Sequence, residues 1–208
     1  MTGDNPVMVI RLALFCAFLA AAAALVTACS HRAPPAQVQN ACAIFTQYPA
    51  WRRATERAER RWGLSQGTQL AFVNRESSFV ANARPPRTRR LIVLPGPRAS
   101  SAHGYAQALD GTWDWYREQT GNRSARRTNF EDAVDFIGWY ASMSQRLSRI
   151  SLDDPRNLYF AYHEGHTGYN RGTHNSKAWL QRAASQVEAD ARRYDSQLRS
   201  CQRRRWFR

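Results

Sequence analysis

Glu76 stands four residues after Phe72, three after Val73 and three before Phe79. On a helix, residues three and four apart share a face. Those apolar side chains would therefore flank its carboxyl. A lone carboxylate in such company is costly unless it keeps its proton or finds a partner. A carboxyl that still holds its proton near neutral pH can donate it, which is the work of a general acid. Considered alone, Glu76 also reads as a helix-end carboxylate paired with Arg75 or Arg84.

Two more short segments follow Glu76-Ser77 along the chain. One is Gly104-Tyr105-Ala106-Gln107 and the other is Ala161-Tyr162-His163. Each is weak by itself: Gly104 can simply permit a turn, Gln107 can cap the next helix, and Tyr162 can be a half-buried core tyrosine. In this order, over about residues 62–170, they resemble the soluble lytic transglycosylases, a family related to goose-type lysozymes. The resemblance implies a lysozyme-like fold and cleavage of the MurNAc–GlcNAc bond of peptidoglycan, with 1,6-anhydro-MurNAc ends as product. It implies Glu76 as the single catalytic acid/base. Ser77 would position substrate, Gly104 and Gln107 would line the groove, and Tyr162 would hydrogen-bond near the acid. Tyr105-Ala106 stands where the family has Leu-Met, which would make one groove wall more polar. His163 stands where the family has Asn. The stretch from Arg84 to Ser101 looks like an insertion between the first two motifs.

The chemistry such a site requires is a proton on the leaving oxygen while an oxocarbenium-like centre develops on the sugar carbon. Burial in apolar surroundings raises a carboxyl's pKa enough to supply that proton. No second acid lies within the three motifs; Asp110 and Glu164 are the nearest in sequence. A different class of reading is a non-catalytic lipoprotein that binds peptidoglycan. A third is a zinc hydrolase built on His163 and His166, with His174 as a third ligand. The two histidines of His163-Glu164-Gly165-His166 are three apart with a glycine between them, unlike the helical His-Glu-x-x-His spacing. No metal and no cofactor is expected.

The elements that must carry these residues are helical almost throughout, so a mainly α fold is expected. Pro49 suits a first helical turn, Trp51, Ala54, Ala58 and Trp62 recur at helical spacing, and Gly63 closes that segment. A helix over about 68–79 holds Glu76. The four prolines between Pro85 and Pro97 exclude regular helix, and Leu91–Leu94 reads as a short strand or hairpin arm. Helices follow over about 109–119 and 129–148. Asp154-Pro155 starts another, ending near His163, and a closing helix spans 176–199. Trp113, Trp115 and Trp139 read as core.

The chain has 208 residues and a formal net charge of +14, from 30 Lys and Arg against 16 acids. That balance suits a polyanionic neighbourhood. Arg11 precedes an uncharged apolar run that ends in Val26-Thr27-Ala28-Cys29, small residues before a cysteine. The ending resembles the lipobox of bacterial lipoproteins, which implies a signal peptide over 1–28 and a lipid on Cys29. An ordinary signal peptide or an uncleaved anchor is the alternative. Residues 29–40 read as a tether, 41–202 as the folded domain and 203–208 as a basic tail. Export makes a Cys42–Cys201 disulfide the simple pairing and argues against nucleic acid as a partner. The expected partners are peptidoglycan glycan strands and, through Cys29, a membrane. The expected location is the cell envelope, on the outer membrane facing the periplasm in a two-membrane host. A monomer is expected.

Overall fold

A computed structural model describes residues 33–91 and 94–206, with 88–91, 94–96 and 202–206 described by backbone alone. Seven helices and one hairpin occur among the described residues: α1 (Ala41–Gln47), α2 (Pro49–Trp62), α3 (Gln66–Ser77), β1 (Arg87–Leu91), β2 (Leu94–Arg98), α4 (Asp110–Thr120), α5 (Phe130–Ser148), α6 (Pro155–Asn170) and α7 (Ala178–Trp206). A 3₁₀ turn, Thr173–Ser176, joins the last two helices. The architecture is mainly α, as expected. Cys29 and the apolar run before it lie outside the described residues. Among the described residues no helix is long and apolar enough to cross a membrane.

Helix α3 is the centre of the domain and packs most extensively on α7. It is buried along most of its length, from Gly67 to Val73 and again at Ser77. A helix buried along most of its length must be enclosed by others, and α2, α5 and α7 enclose this one. Its one long polar core side chain, Gln69, donates through Nε2 to Thr55 O at 3.1 Å and Leu64 O at 2.9 Å. Its N-terminus is anchored from α7. Asp195 accepts from the Gly67 N–H at 2.8 Å and from Ser65 Oγ at 2.9 Å. The Ser65 side chain in turn caps Thr68 N–H. A carboxylate at the positive end of the helix dipole is favourable.

Several boundaries differ from the sequence-based expectation, each for a physical reason. Helix α3 ends at Ser77, because Ser78 (φ 49) and Phe79 (φ 62) both take left-handed backbone. Phe79 then turns its ring onto Trp51, with centroids 5.8 Å apart. Leu91–Leu94 is not one strand: Leu91 ends β1 and pairs with Leu94, which starts β2, while residues 92–93 lie outside the described ones. Helix α6 continues past His163 to Asn170 through a kink at Gly165 (φ 70, ψ 160). The tether shortens, because Val38–Asn40 dock on α7: Tyr194 donates to Val38 O and Gln197 to Gln39 O. Helix α1 was not anticipated, since a seven-residue helix is too short for periodicity to announce. The last helix runs to Trp206, so residues 203–206 of the basic tail carry helical backbone.

Cys42 on α1 and Cys201 on α7 form the expected disulfide, with Cα atoms 6.2 Å apart across 159 residues of sequence. It closes a loop around nearly the whole domain, worth about 5 kcal/mol on the chain-entropy account. Reduction, or Cys42→Ser with Cys201→Ser, is expected to lower the unfolding free energy by about 2–5 kcal/mol. Urea unfolding of the oxidised and reduced protein measures it.

Candidate active site

Glu76 occupies the last turn of α3, one residue before the helix ends. Phe72, one turn earlier on the same face, is buried and packs edge-on against two tyrosines of α6. Its ring centroid lies 5.4 Å from that of Tyr159 and 5.2 Å from that of Tyr162. Tyr159 donates its hydroxyl to Glu76 Oε1 at 2.8 Å. Burial pushes the Glu76 carboxyl up from 4.5 to about 7, against the Tyr159 hydrogen bond and the Arg75 charge, which both pull it down. None of these three influences is a second carboxylate. The negative end of the α3 dipole also opposes ionisation here. Glu76 as a residue keeps partial exposure.

Tyr162 makes its hydrogen bond near the acid rather than to it. Its hydroxyl donates to Ala106 O at 2.5 Å, fastening the Gly104–Gln107 loop to α6. Tyr159, one turn earlier on α6, takes the place beside the acid. Sequence reasoning missed Tyr159. The signal was there in the i, i+3 spacing, which sets both hydroxyls on one helix face. The charge of Glu76 contributes to raising the pKa of both tyrosines, after burial, so both stay protonated donors.

The second motif folds into a tight loop. Gly104 has φ 81, and a Cβ there would come within 2.1 Å of Arg127 O, so only glycine fits. The Tyr105 N–H donates to that same carbonyl at 3.1 Å. Gln107 donates through Nε2 to Ala83 O at 2.9 Å and to Gly104 O at 2.8 Å; it bonds the loop, not the next helix. Tyr105 lines no polar groove wall. It is 2% exposed, with its ring edge-on to Trp51 and Phe130, because an aromatic body is worth more in the core than at a wet surface. Ser77 is buried, and its hydroxyl donates to Val73 O at 3.1 Å.

His163 is exposed beside Tyr162. It hydrogen-bonds Glu164 Oε1 at 3.0 Å and meets the half-exposed Trp179 edge-on, with ring centroids 4.9 Å apart. Burial would raise the Glu164 carboxyl, but hydrogen bonds from Lys177, Thr173 and His163 outweigh it and hold it at about 2. Glu164 is therefore a fixed anion that clamps the start of α7, not a proton donor. The three histidines considered for zinc go separate ways. His166 bonds Ser144 at 3.0 Å and stacks on Tyr140, while His174 lies between Phe160 and Tyr169. No group of three or more His, Cys, Asp or Glu converges as metal ligands among the described residues. Trp113 and Trp139 are buried and Trp115 packs against the core.

This arrangement is one carboxyl with its pKa raised by burial, held by a tyrosine at the end of a buried helix, beside a glycine-to-glutamine loop. The sequence matches the transglycosylase SLT domain over residues 17–201. The chain belongs to that family. It is a peptidoglycan lytic transglycosylase, a lyase with a mainly α, lysozyme-like SLT domain. No curated protein matches the chain. The family is one of enzymes, so of the readings drawn from the sequence the catalytic one stands.

Two measurements test the electrostatics of the transglycosylase site. Tyr159→Phe keeps the ring and removes the donor that favours the charged carboxylate. The Glu76 pKa should rise above 7 by about one unit, read from a carbon-13 titration of its carboxyl. Glu76→Gln should also change stability with pH. A carboxyl raised from 4.5 to about 7 contributes fully below pH 4.5, and that contribution is lost as pH rises through 7. The variant should therefore match the parent near pH 4 and exceed it at pH 8. The gain would be on the order of 1–2 kcal/mol after discounting for partial exposure. Thermal unfolding at the two pH values checks it.

Proposed function

We propose that Glu76 is the single acid/base of this transglycosylase and that its products carry 1,6-anhydro-MurNAc ends. The observation that carries the reading is the Glu76 carboxyl, raised to about 7 and oriented by Tyr159. A group with that pKa is present in both protonation states near neutral pH, which suits a residue that must first give and then take a proton.

The reaction balances without water. Glu76 donates its proton to the glycosidic oxygen as the bond from the MurNAc C1 to that oxygen breaks. The developing cation at C1 is steadied by the oxygen of the substrate's own N-acetyl group. The Glu76 carboxylate then removes the proton from the C6 hydroxyl, and O6 bonds to C1. The acid is regenerated and the ring is closed. Glu164, ionised and engaged by Lys177, Thr173 and His163, is not free to serve as a second carboxylate.

Around this chemistry we place Ser77, Gly104, Gln107, Tyr162 and His163 as residues that shape the site and its groove. Ser77, Gly104 and Gln107 act through the backbone they hold; His163 is the exposed one. The small residues before Cys29 support a lipid anchor and a place in the cell envelope, with the enzyme held near its polymer substrate.

Digestion of purified sacculi followed by mass analysis of the muropeptides tests the proposal. Anhydro ends are the expected product; reducing ends would instead make the enzyme a hydrolase. Glu76→Gln should reduce turnover by at least about a thousandfold, and a rate near that of the parent would place the acid elsewhere. The rate should fall as pH rises through about 7, because the first step needs the protonated form.

A further inference from the structure

The insertion at residues 84–101 has a charge pattern that the cleavage chemistry does not use. Between Glu76 and Asp110 the sequence holds five arginines and no acid. The fold brings several of them together. In the hairpin, Arg87 pairs directly with Arg98 across the strands. Like charges at directly opposed positions destabilise a strand pair, and here no acid of the insertion relieves them. Arg84 Nη2 reaches His103 Nδ1 at 3.4 Å, and Arg98 Nη1 donates to Pro85 O at 2.6 Å. Arg84, Arg87 and Arg98 are all exposed. Burial first, then the charges of Arg84, Arg127 and Arg98, hold the His103 imidazole below its ordinary value. Three guanidiniums therefore act on one ring. Arg127 is already committed: it ion-pairs Asp110 at 2.5 Å and donates to Ser101 O and Ala108 O.

The position of this cluster follows from the same hydrogen bonds that build the site. Ala83, next to Arg84, accepts from Gly104 N–H and from Gln107 Nε2. The Gly104–Gln107 loop is tied to α6 by Tyr162, one turn from Tyr159 and Glu76. The hairpin base is thus joined to the loop beside the acid.

We propose that Arg84, Arg87 and Arg98 form a rim that binds the carboxylates of peptide stems on the glycan strand, so that the enzyme prefers peptide-bearing strands to bare ones. The inference rests on peptidoglycan being the substrate. An anion placed between Arg87 and Arg98 turns their repulsion into two attractions. Guanidinium is the side chain suited to it, since it offers a planar fork of donors to a carboxylate.

The test compares kcat/KM on peptide-bearing strands with kcat/KM on strands stripped by an amidase. The parent should favour the peptide-bearing form about tenfold at low salt, with the ratio shrinking as ionic strength rises. In Arg84→Gln/Arg98→Gln the ratio should fall towards one, and in Arg84→Lys/Arg98→Lys it should be partly kept. Should the double Gln variant fail to fold, Arg87→Gln and the salt series on the parent decide the matter. A parent ratio near one overturns the proposal, as does an unchanged ratio in a natively folded Gln variant. It also fails if these variants lose binding to anionic vesicles while the ratio holds, since the rim would then belong to a lipid surface. Anhydro ends counted in the stripped-strand digest report separately on the Glu76 mechanism.

Discussion

The structure turns on the proton of Glu76. Burial drives the carboxyl towards the neutral form, while the Tyr159 hydroxyl and Arg75 favour the anion. Neither side wins outright, and the balance rests near neutrality. Full burial with no donor would give an acid unable to part with its proton. A solvated site beside an arginine would give a permanent carboxylate. The intermediate setting requires Glu76 to stay at one depth, and α3 holds it there. That helix is enclosed by α2, α5 and α7 and is fastened at its N-terminus by Asp195.

Glu164 shows that the residue type does not decide the chemistry. It is also a glutamate with a largely hidden side chain, yet its carboxyl is held at about 2. The difference is the number and kind of donors. Glu76 has one neutral hydroxyl at 2.8 Å, whereas Glu164 has an ammonium on both oxygens, at 2.7 and 2.8 Å, with a hydroxyl and an imidazole besides. Charge-assisted hydrogen bonds to the anion outweigh desolvation when there are enough of them. One carboxyl is therefore suited to moving a proton and the other to holding a turn.

Two tyrosines one turn apart on α6 divide the remaining work. Tyr159 serves the acid, and Tyr162 serves the loop through Ala106 O. Gln107 and the Gly104 N–H carry the connection on to Ala83, and the Tyr105 N–H carries it to Arg127. The Gly104–Gln107 loop and the hairpin base are thus fixed to α6, whose Tyr159 meets the acid, although they lie far from it in sequence.

Much of this protein was legible in the chain itself. Helical periodicity, proline and glycine punctuation and the Asp154-Pro155 cap located most helices to within a few residues, because these signals are local. The three short motifs and their order pointed to the family and to Glu76. The two domain cysteines, with the expectation of export, pointed to the disulfide. The tertiary structure alone decided which tyrosine meets the acid, since Tyr159 and Tyr162 share a helix face and only the approach of α3 separates their partners. It also sent Tyr105 into the core, ended α3 at Ser77 and docked Val38–Asn40 on α7. Each of these depends on contacts between residues distant in sequence, and a pattern along one segment cannot say what another will bring to it.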